Sequence, residues 1–420
     1  MSLERLELRA IDESEFRDWL RAKKVAFQQP PVVSDEEVAD RLPHHDLSRT
    51  YGAFDRGRLV STFHSFDQRL STVGGAELAA DAVSGVSVLP THRRRGLLSR
   101  AMNADLALAK ERGDACATLI AAEYPIYGRF GFGAATWITE WEIDVTRAGL
   151  DRRWAGPTDA DGGGRIDLAD GAEIRAIGPG LHRRLAAGRA GITQRTPRDW
   201  DYGTGHDAVL STPWTEPFYA VHRNAAGEPE GYVSYRSEDR WSDGKQPTNT
   251  ATVRDLIAAT PAAERALWRF VCSVDWITRV RTGYRAADDL VPGLLPDARA
   301  ARVVTHSDML WVRILDVPKV FEPRTYGTEG SLVLDVRDAA GFAAGRFRLD
   351  ASPKGGACTR TDAAPDLVLD VAELATLALG DASAVRLAAL GRIEEASAGA
   401  AARADLLMRT PRRPWSMDFF

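Results

Sequence analysis

The chain has 420 residues, 44% apolar and 27% charged, which excludes a disordered or fibrous chain and gives room for about three domains at roughly 150 residues each. Its 54 basic and 59 acidic residues leave a net charge of −5, a poor balance for general nucleic-acid binding. Six lysines against 48 arginines read as genome base composition rather than function.

In chain order, Leu6 to Ala10 reads as a strand, and Glu13 to Ala26 carries apolar residues at helical spacing. Strands are expected at Tyr51 to Asp55, Leu59 to Gln68 and Asp81 to Leu89, followed by a turn at Pro90-Thr91-His92. A strong helix runs from Gly96 to Arg112, with Gly113 as its C-terminal cap. Cys116 to Ala122 and Trp137 to Val145 are further strands. A Gly- and Asp-rich stretch from Gly156 to Gly164 reads as a linker. Ile174 to Ile177 begins a second unit, with strands at Pro217 to His222, Gly231 to Arg236 and Thr250 to Ile257, then a helix at Ala262 to Cys272. This strand-to-helix order faintly repeats the first unit. A third unit holds a strand from Asp308 to Ile314, a short segment Val317 to Phe321, and paired strands Gly330 to Val336 and Gly345 to Ala351. Leu367 to Asp370, two helices at Val371 to Leu379 and Ser383 to Ala389, and a Pro-containing tail from Pro411 to Phe420 complete it. The expected domains are 1–148, 149–304 and 305–420, in an α/β (α+β) chain of mixed sheets.

Cys116, Cys272 and Cys358 are widely separated, with no C-x-x-C pair and no Cys/His cluster at zinc spacing. That argues for a reducing compartment and against a metal. The N-terminal stretch MSLERLELRAIDESEF has no apolar signal core, and no run approaches the ~18 apolar residues of a membrane helix. A cytoplasmic chain without a membrane span is the expectation. His44-His45 and His92 lack partners at ligand spacing and read as surface or capping residues. No G-x-S-x-G elbow marks a serine hydrolase.

The stretch that carries chemistry is Val86-Ser87-Val88-Leu89-Pro90-Thr91-His92-Arg93-Arg94-Arg95-Gly96-Leu97-Leu98-Ser99. It is a strand, a basic turn and a helix start. Glycine lets the backbone approach a ligand closely, and the free amides and dipole of the helix start favour an anion such as a pyrophosphate. It is neither a Walker loop nor a dinucleotide fingerprint. Arg93-x-x-Gly96 between strand and helix resembles the GNAT acetyltransferases. The blocks Arg93-Arg94-Arg95-Gly96-Leu97-Leu98 and Ala122-Glu123-Tyr124-Pro125-Ile126-Tyr127-Gly128-Arg129-Phe130-Gly131-Phe132-Gly133, with Phe420 at the C-terminus, narrow the resemblance to the Eis (enhanced intracellular survival) family.

That resemblance implies two tandem GNAT-type domains, the second degenerate, and a C-terminal domain similar to sterol carrier proteins. It implies acetyl-CoA as donor, a small-molecule amine as acceptor (aminoglycoside-type molecules among them), no metal and no nucleic acid, and a homo-oligomer, in the family a hexamer. Tyr127 would be the general acid and the Phe420 carboxylate the general base. The cofactor would be held by Val86, Ser87, Val88, Arg94, Arg95, Gly96, Leu97, Leu98, Ser99, Ala122 and Glu123. The acceptor would meet Phe27, Ser84, Gly85, Asp418 and Phe419. Gly85 stands where a bulky aromatic can occur, which implies a wider pocket, and Asp418 supplies negative charge for the amine. A protein lysine or a polyamine as acceptor, or a non-catalytic acyl-CoA or lipid sensor, are the alternatives.

Overall fold

The computed structural model describes residues 6–207 and 214–420; the first five residues of the N-terminal stretch read above lie outside it. The first sheet has the strand order Leu6–Ala10, Thr50–Asp55, Arg58–Ser71, Glu77–Val88, Cys116–Ile120, Leu310–Ile314 and Gly133–Ala134. The long hairpin Arg58–Ser71/Glu77–Val88 is antiparallel. Leu97–Arg112 is the crossover helix that returns the chain to lay Cys116–Ile120 parallel to Glu77–Val88. Its apolar positions Leu97, Ala101, Met102, Leu106 and Ala109 are buried against the sheet.

The second sheet is built from Arg285–Ala286, Trp137–Asp144, Ile277–Arg281, Asn249–Ala258, Pro229–Ser237, Phe218–Arg223 and Arg165–Ala169, with Ala301–Asp308 also paired to Trp137–Asp144. The helix Pro261–Ser273 packs on it through Leu267, Trp268 and Val271. The third sheet runs Gly355–Arg360, Gly345–Ser352, Gly330–Arg337, Leu367–Asp370 and Ile393–Glu395.

Two expected boundaries cut through continuous sheet. Trp137–Asp144, placed in the first unit by sequence, belongs to the second sheet, and Leu310–Ile314, placed in the third, sits inside the first. The expected single strand Asp308 to Ile314 is broken at Met309. Both chain segments change sheets at one point: Met309 N–H donates to Thr136 O at 3.0 Å, and Leu310 N–H donates to Thr136 Oγ1 at 3.0 Å. An apolar pattern announces a strand but not the sheet it joins. The second unit opens on the strand Arg165–Ala169, and Ile174 to Ile177 lies in the helix Gly171–Gly188.

The third unit is fused to the first sheet. Leu70, Leu78, Cys116, Leu310 and Val312 share one core with Leu332, Val371 and Leu374. Arg313, fully buried, donates from Nη2 to both carboxylate oxygens of Asp338 at 2.7 and 2.8 Å and from Nη1 to Ile314 O at 2.6 Å. These bonds offset the cost of burying the guanidinium, although its Nε has no partner among the described residues. No helix among the described residues is long and apolar enough to cross a membrane.

Candidate active site

Glu77–Val88 and Cys116–Ile120 pair only at Ala80, Asp81 and Ala82, opposite Cys116, Ala117 and Thr118. Beyond Ala82 the first of these strands keeps a partner on its other side only. Its edge toward Leu119 and Ile120 is a row of backbone groups open to an added extended chain. Val86, Ser87 and Val88 lie on this free stretch. Opposite them the register slips: Thr62 faces Ser87 while His64 faces Ser84, so Gly85 and Val86 together oppose Phe63. Gly85 at φ +60° carries this bulge, which re-aims the strand. Ser61 Oγ donates to Ser87 O at 2.7 Å and Thr62 Oγ1 to Gly85 O at 2.7 Å, so the bulge carbonyls are met from the side away from the free edge.

The turn that follows is built for an anion. Arg94 at φ +62° and Gly96 at φ +72° are both left-handed, and the helix Leu97–Arg112 starts directly after Gly96. Such alternation turns successive amides inward. The first side-on helical bond is Arg100 N–H to Gly96 O at 3.0 Å, so the amides of Leu97, Leu98 and Ser99 are those a helix start leaves open. Arg93 and Arg94 are exposed, and Arg95 Nη2 donates to Thr91 O at 3.0 Å. His92 is held by Asp55 through Nε2 at 3.1 Å. These groups fit the pyrophosphate and pantetheine of an acyl-CoA donor.

Tyr127 sits in a tight turn beyond Cys116–Ile120. Its carbonyl accepts from Phe130 N–H at 3.0 Å, and its ring stands edge-on to Phe132 at 6.2 Å. It is 7% exposed, and burial, followed by the Glu123 carboxylate, pushes its phenol above the usual value. The group therefore stays protonated at neutral pH and makes no hydrogen bond to another of the described residues. Gly131 at φ +83° and Gly133 fix the turn: a Cβ at Gly133 would lie 2.1 Å from Ala372 O, and one at Gly131 2.7 Å from Arg313 Nε. The glycine-rich block is thus turn and close packing. Ala122 and Glu123 are exposed beside it.

Phe420 lies on the other face of the sheet. Its ring is edge-on to Phe66, and Phe66 pairs across to Ala82, which pairs to Thr118. Side chains directly opposite share a face. Tyr127 instead belongs to the core around Leu119, Met102 and Leu106, on the helix side. Between the two faces, the strands Glu77–Val88 and Cys116–Ile120 diverge beyond Ala82 and Thr118, which leaves the slot. A cavity of about 900 Å³ brings Phe66, Arg195, Trp214, Tyr284, Asp418 and Phe420 together. A second, of about 1030 Å³, runs from Ser99, Asn103 and Tyr124 to the third unit at Ala372 and Thr376. Tyr127 lines neither of these two cavities.

Three acceptor expectations change. Gly85 opens no space, because a Cβ there would meet Trp19 Cη2 at 3.0 Å; the Trp19 indole already fills the place and donates to Tyr51 O at 3.0 Å. Asp418 is not a free carboxylate: Arg195 Nε and Nη2 grip it at 2.7 to 3.1 Å. Phe27, at the end of the helix Phe16–Ala26, is 43% exposed and lines neither cavity. Ser84 remains beside the site, across from His64. Phe419 is 62% exposed, its ring 5.6 Å from Tyr284.

Sequence reading passed over a stack that leads to the terminus. His45 stacks on His64 at 4.7 Å, His64 on Phe66 at 5.7 Å, and Phe66 meets Phe420 at 5.8 Å. Burial pushes His64 down to about 3 and lowers His45, so both rings are neutral. The visible signal was His64 and Phe66 alternating on one strand opposite Ser84; His45, read as a surface residue, reaches it from a loop. The three cysteines are free and buried, and burial pushes each thiol up to about 12, which removes them as nucleophiles.

The chain matches three family models: an acetyltransferase (GNAT) domain over residues 7–135, a second acetyltransferase (GNAT) domain over 191–314, and a sterol carrier protein domain over 317–417. It is 60% identical over 415 residues to an uncharacterized N-acetyltransferase of Streptomyces avermitilis, covering 99% of both chains. It is 35% identical over 355 residues to the N-acetyltransferase Eis of Mycobacterium tuberculosis, 81% of each chain. The crystal structure of Eis1 from Mycobacterium abscessus superposes with a TM-score of 0.83 at 30% identity, covering 99% of this chain and 100% of that one.

Proposed function

This chain belongs to the Eis family of GNAT N-acetyltransferases, and from that premise we propose that it moves the acetyl group of acetyl-CoA directly onto an amine of a small molecule. GNAT domains use acetyl-CoA, which supplies the acetyl group already activated as a thioester. The observation that carries the reading is the free edge from Val83 to Val88 running into the left-handed turn at Arg94 and Gly96. Val86 and Val88 pair with the pantetheine arm as a strand edge would. The amides of Leu97, Leu98 and Ser99, with the charges of Arg94 and Arg95, hold the pyrophosphate.

The Phe420 carboxylate takes a proton from the ammonium of the acceptor. The freed nitrogen attacks the thioester carbon, the N–C bond forms, the C–S bond breaks, and the second proton of the nitrogen and the one held by Phe420 pass to solvent. Tyr127 gives its hydroxyl proton to the departing sulfur and regains one from solvent. A positioned acid of this kind contributes roughly 10²- to 10⁴-fold. A carboxylate with an ordinary pKa of ~3.5 is a weak base, so its value here lies in placement beside the ammonium.

Among the described residues the second GNAT-type domain shows no equivalent turn at the start of its helix Pro261–Ser273. The helix Pro261–Ser273 is capped by Thr260, whose Oγ1 accepts from Ala263 N–H at 3.1 Å, and proline stands in its first turn. The amide a phosphate would take is spent on the chain itself. The test is thiol release from acetyl-CoA over a panel of kanamycin, spermidine and lysine peptides. Turnover of kanamycin above the peptides supports a small-molecule amine acceptor; turnover of peptides alone sinks it.

A further inference from the structure

The last residues cross the second GNAT-type domain before they reach the first sheet. Trp415 N–H donates to Ala190 O at 2.9 Å, and the Arg285 guanidinium lies over its indole at 4.5 Å. Gly191, at φ +91°, has the Trp415 backbone N and O 3.1 Å from where its Cβ would be. Arg189 Nε donates to Arg413 O at 2.9 Å. The tail is therefore strapped down as far as Trp415.

Past the strap, Met417 packs into the core beside the second sheet, and one guanidinium makes the side-chain hydrogen bonds that hold Asp418. Arg195 donates to both oxygens of Asp418, from Nε at 3.0 and 3.1 Å and from Nη2 at 2.7 Å. Its Nη1 donates to Asp255 Oδ2 at 2.6 Å, and the Tyr232 hydroxyl donates to that same oxygen at 2.6 Å. One guanidinium thus bridges two carboxylates, in the fork geometry that fixes orientation as well as distance. Asp255 belongs to Asn249–Ala258, which pairs with Ile277–Arg281 only as far as Thr252. By order of elements, Asp255 stands where the free edge stands in the first sheet. The second domain spends that place on the chain's own tail.

From Asp418, two residues reach at most about 7 Å, so fixing Asp418 confines the Phe420 carboxylate to a small volume. Without the grip, Phe420 keeps its ring contact with Phe66 and its packing against the first core, but among the described residues no hydrogen bond fixes its carboxylate, and termini held by side-chain packing alone fray. We propose that Arg195 is a positioning residue: by gripping Asp418 it sets the Phe420 carboxylate at the acceptor end of the slot, and this is what the second GNAT-type domain gives the reaction. The inference rests on Phe420 as the base.

The experiment has two arms, both on the full chain. In the first, carboxypeptidase Y releases phenylalanine from the wild type, Asp418→Asn, Arg195→Gln and Arg195→Lys, well below the unfolding temperature. Asp418→Asn leaves Arg195 paired with Asp255, so it keeps the fold even where Arg195→Gln does not. Release at least tenfold faster from Asp418→Asn, with Arg195→Lys between Arg195→Gln and the wild type, is expected; equal release overturns the proposal. In the second arm, kcat with kanamycin or spermidine is measured with and without Phe420. Asp418→Asn lowers kcat at least tenfold, leaves KM for acetyl-CoA within twofold, and lowers nothing further once Phe420 is gone. Losses that multiply would overturn it. Faster phenylalanine release, with kcat indifferent to removing Phe420, would leave the anchor standing and remove the base assignment.

Discussion

The Phe420 ring stands edge-on to Phe66, with centroids 5.8 Å apart and planes at 88°. The end of the chain is thereby set on the strand that pairs with the slot strand, through Phe66 opposite Ala82. An aromatic pair of this geometry is worth about 0.5–1.5 kcal/mol. Phe66→Ala should lower kcat about three- to tenfold and leave the acetyl-CoA dissociation constant unchanged, because Phe66 does not touch the free edge. Steady-state kinetics beside calorimetric titration separate the two quantities; a weakened dissociation constant with kcat intact would reverse the assignment.

Gly96 has open space where a Cβ would go, so a side chain there is opposed by its φ of +72° and not by a neighbour. Left-handed backbone costs a non-glycine residue roughly 1–2 kcal/mol. Gly96→Ala should therefore weaken acetyl-CoA binding about tenfold and leave kcat at saturating donor within about twofold. Unaltered binding in titration calorimetry would mean that the turn does not hold the phosphate.

At Gly133 the constraint is the opposite, a clash and no strain. A Cβ would lie 2.1 Å from Ala372 O, on the helix that joins the third unit to the first sheet. Gly133→Ala should destabilise the chain by about 1–3 kcal/mol, read by urea unfolding. A neutral result would show that the helix yields freely there.

His64, pushed down to about 3 by burial, binds its proton later in the folded chain than in the unfolded one, where the ordinary value is about 6.5. The unfolded chain thus holds more protons between those values, and stability rises with pH through that window, full above about 6.5 and lost as pH falls toward 3. His182, pushed down to about 4, has the same sign. Asp81, raised to about 8 by burial and by Asp105, has the opposite sign between 3.8 and 8. Comparing His64→Gln with the wild type isolates one group. The slope of unfolding free energy against pH should fall by up to about 1.4 kcal/mol per pH unit near pH 5. Parallel curves would mean that His64 titrates normally.

The strand, basic turn and helix of the proposed cofactor site were legible because local signals specify them: Gly96, the arginines, and helical spacing from Leu97. The three-unit order was legible from the motif blocks and the carrier-like third segment. The exchange of strands at Thr136 and Met309 was not, since it depends on which sheet edge is free after folding. Nor was the acceptor side. Trp19 filling the place beside Gly85, and Arg195 closing on Asp418 from 223 residues away in sequence, are long-range pairings that no local pattern encodes.

The most direct test of acetyl transfer with Tyr127 as proton donor is single-turnover thiol release from Tyr127→Phe saturated with acetyl-CoA and an amine that the wild type acetylates. The rate should fall roughly 10²- to 10⁴-fold with the acetyl-CoA dissociation constant unchanged. Release at the wild-type rate would show that the leaving sulfur is protonated by another group.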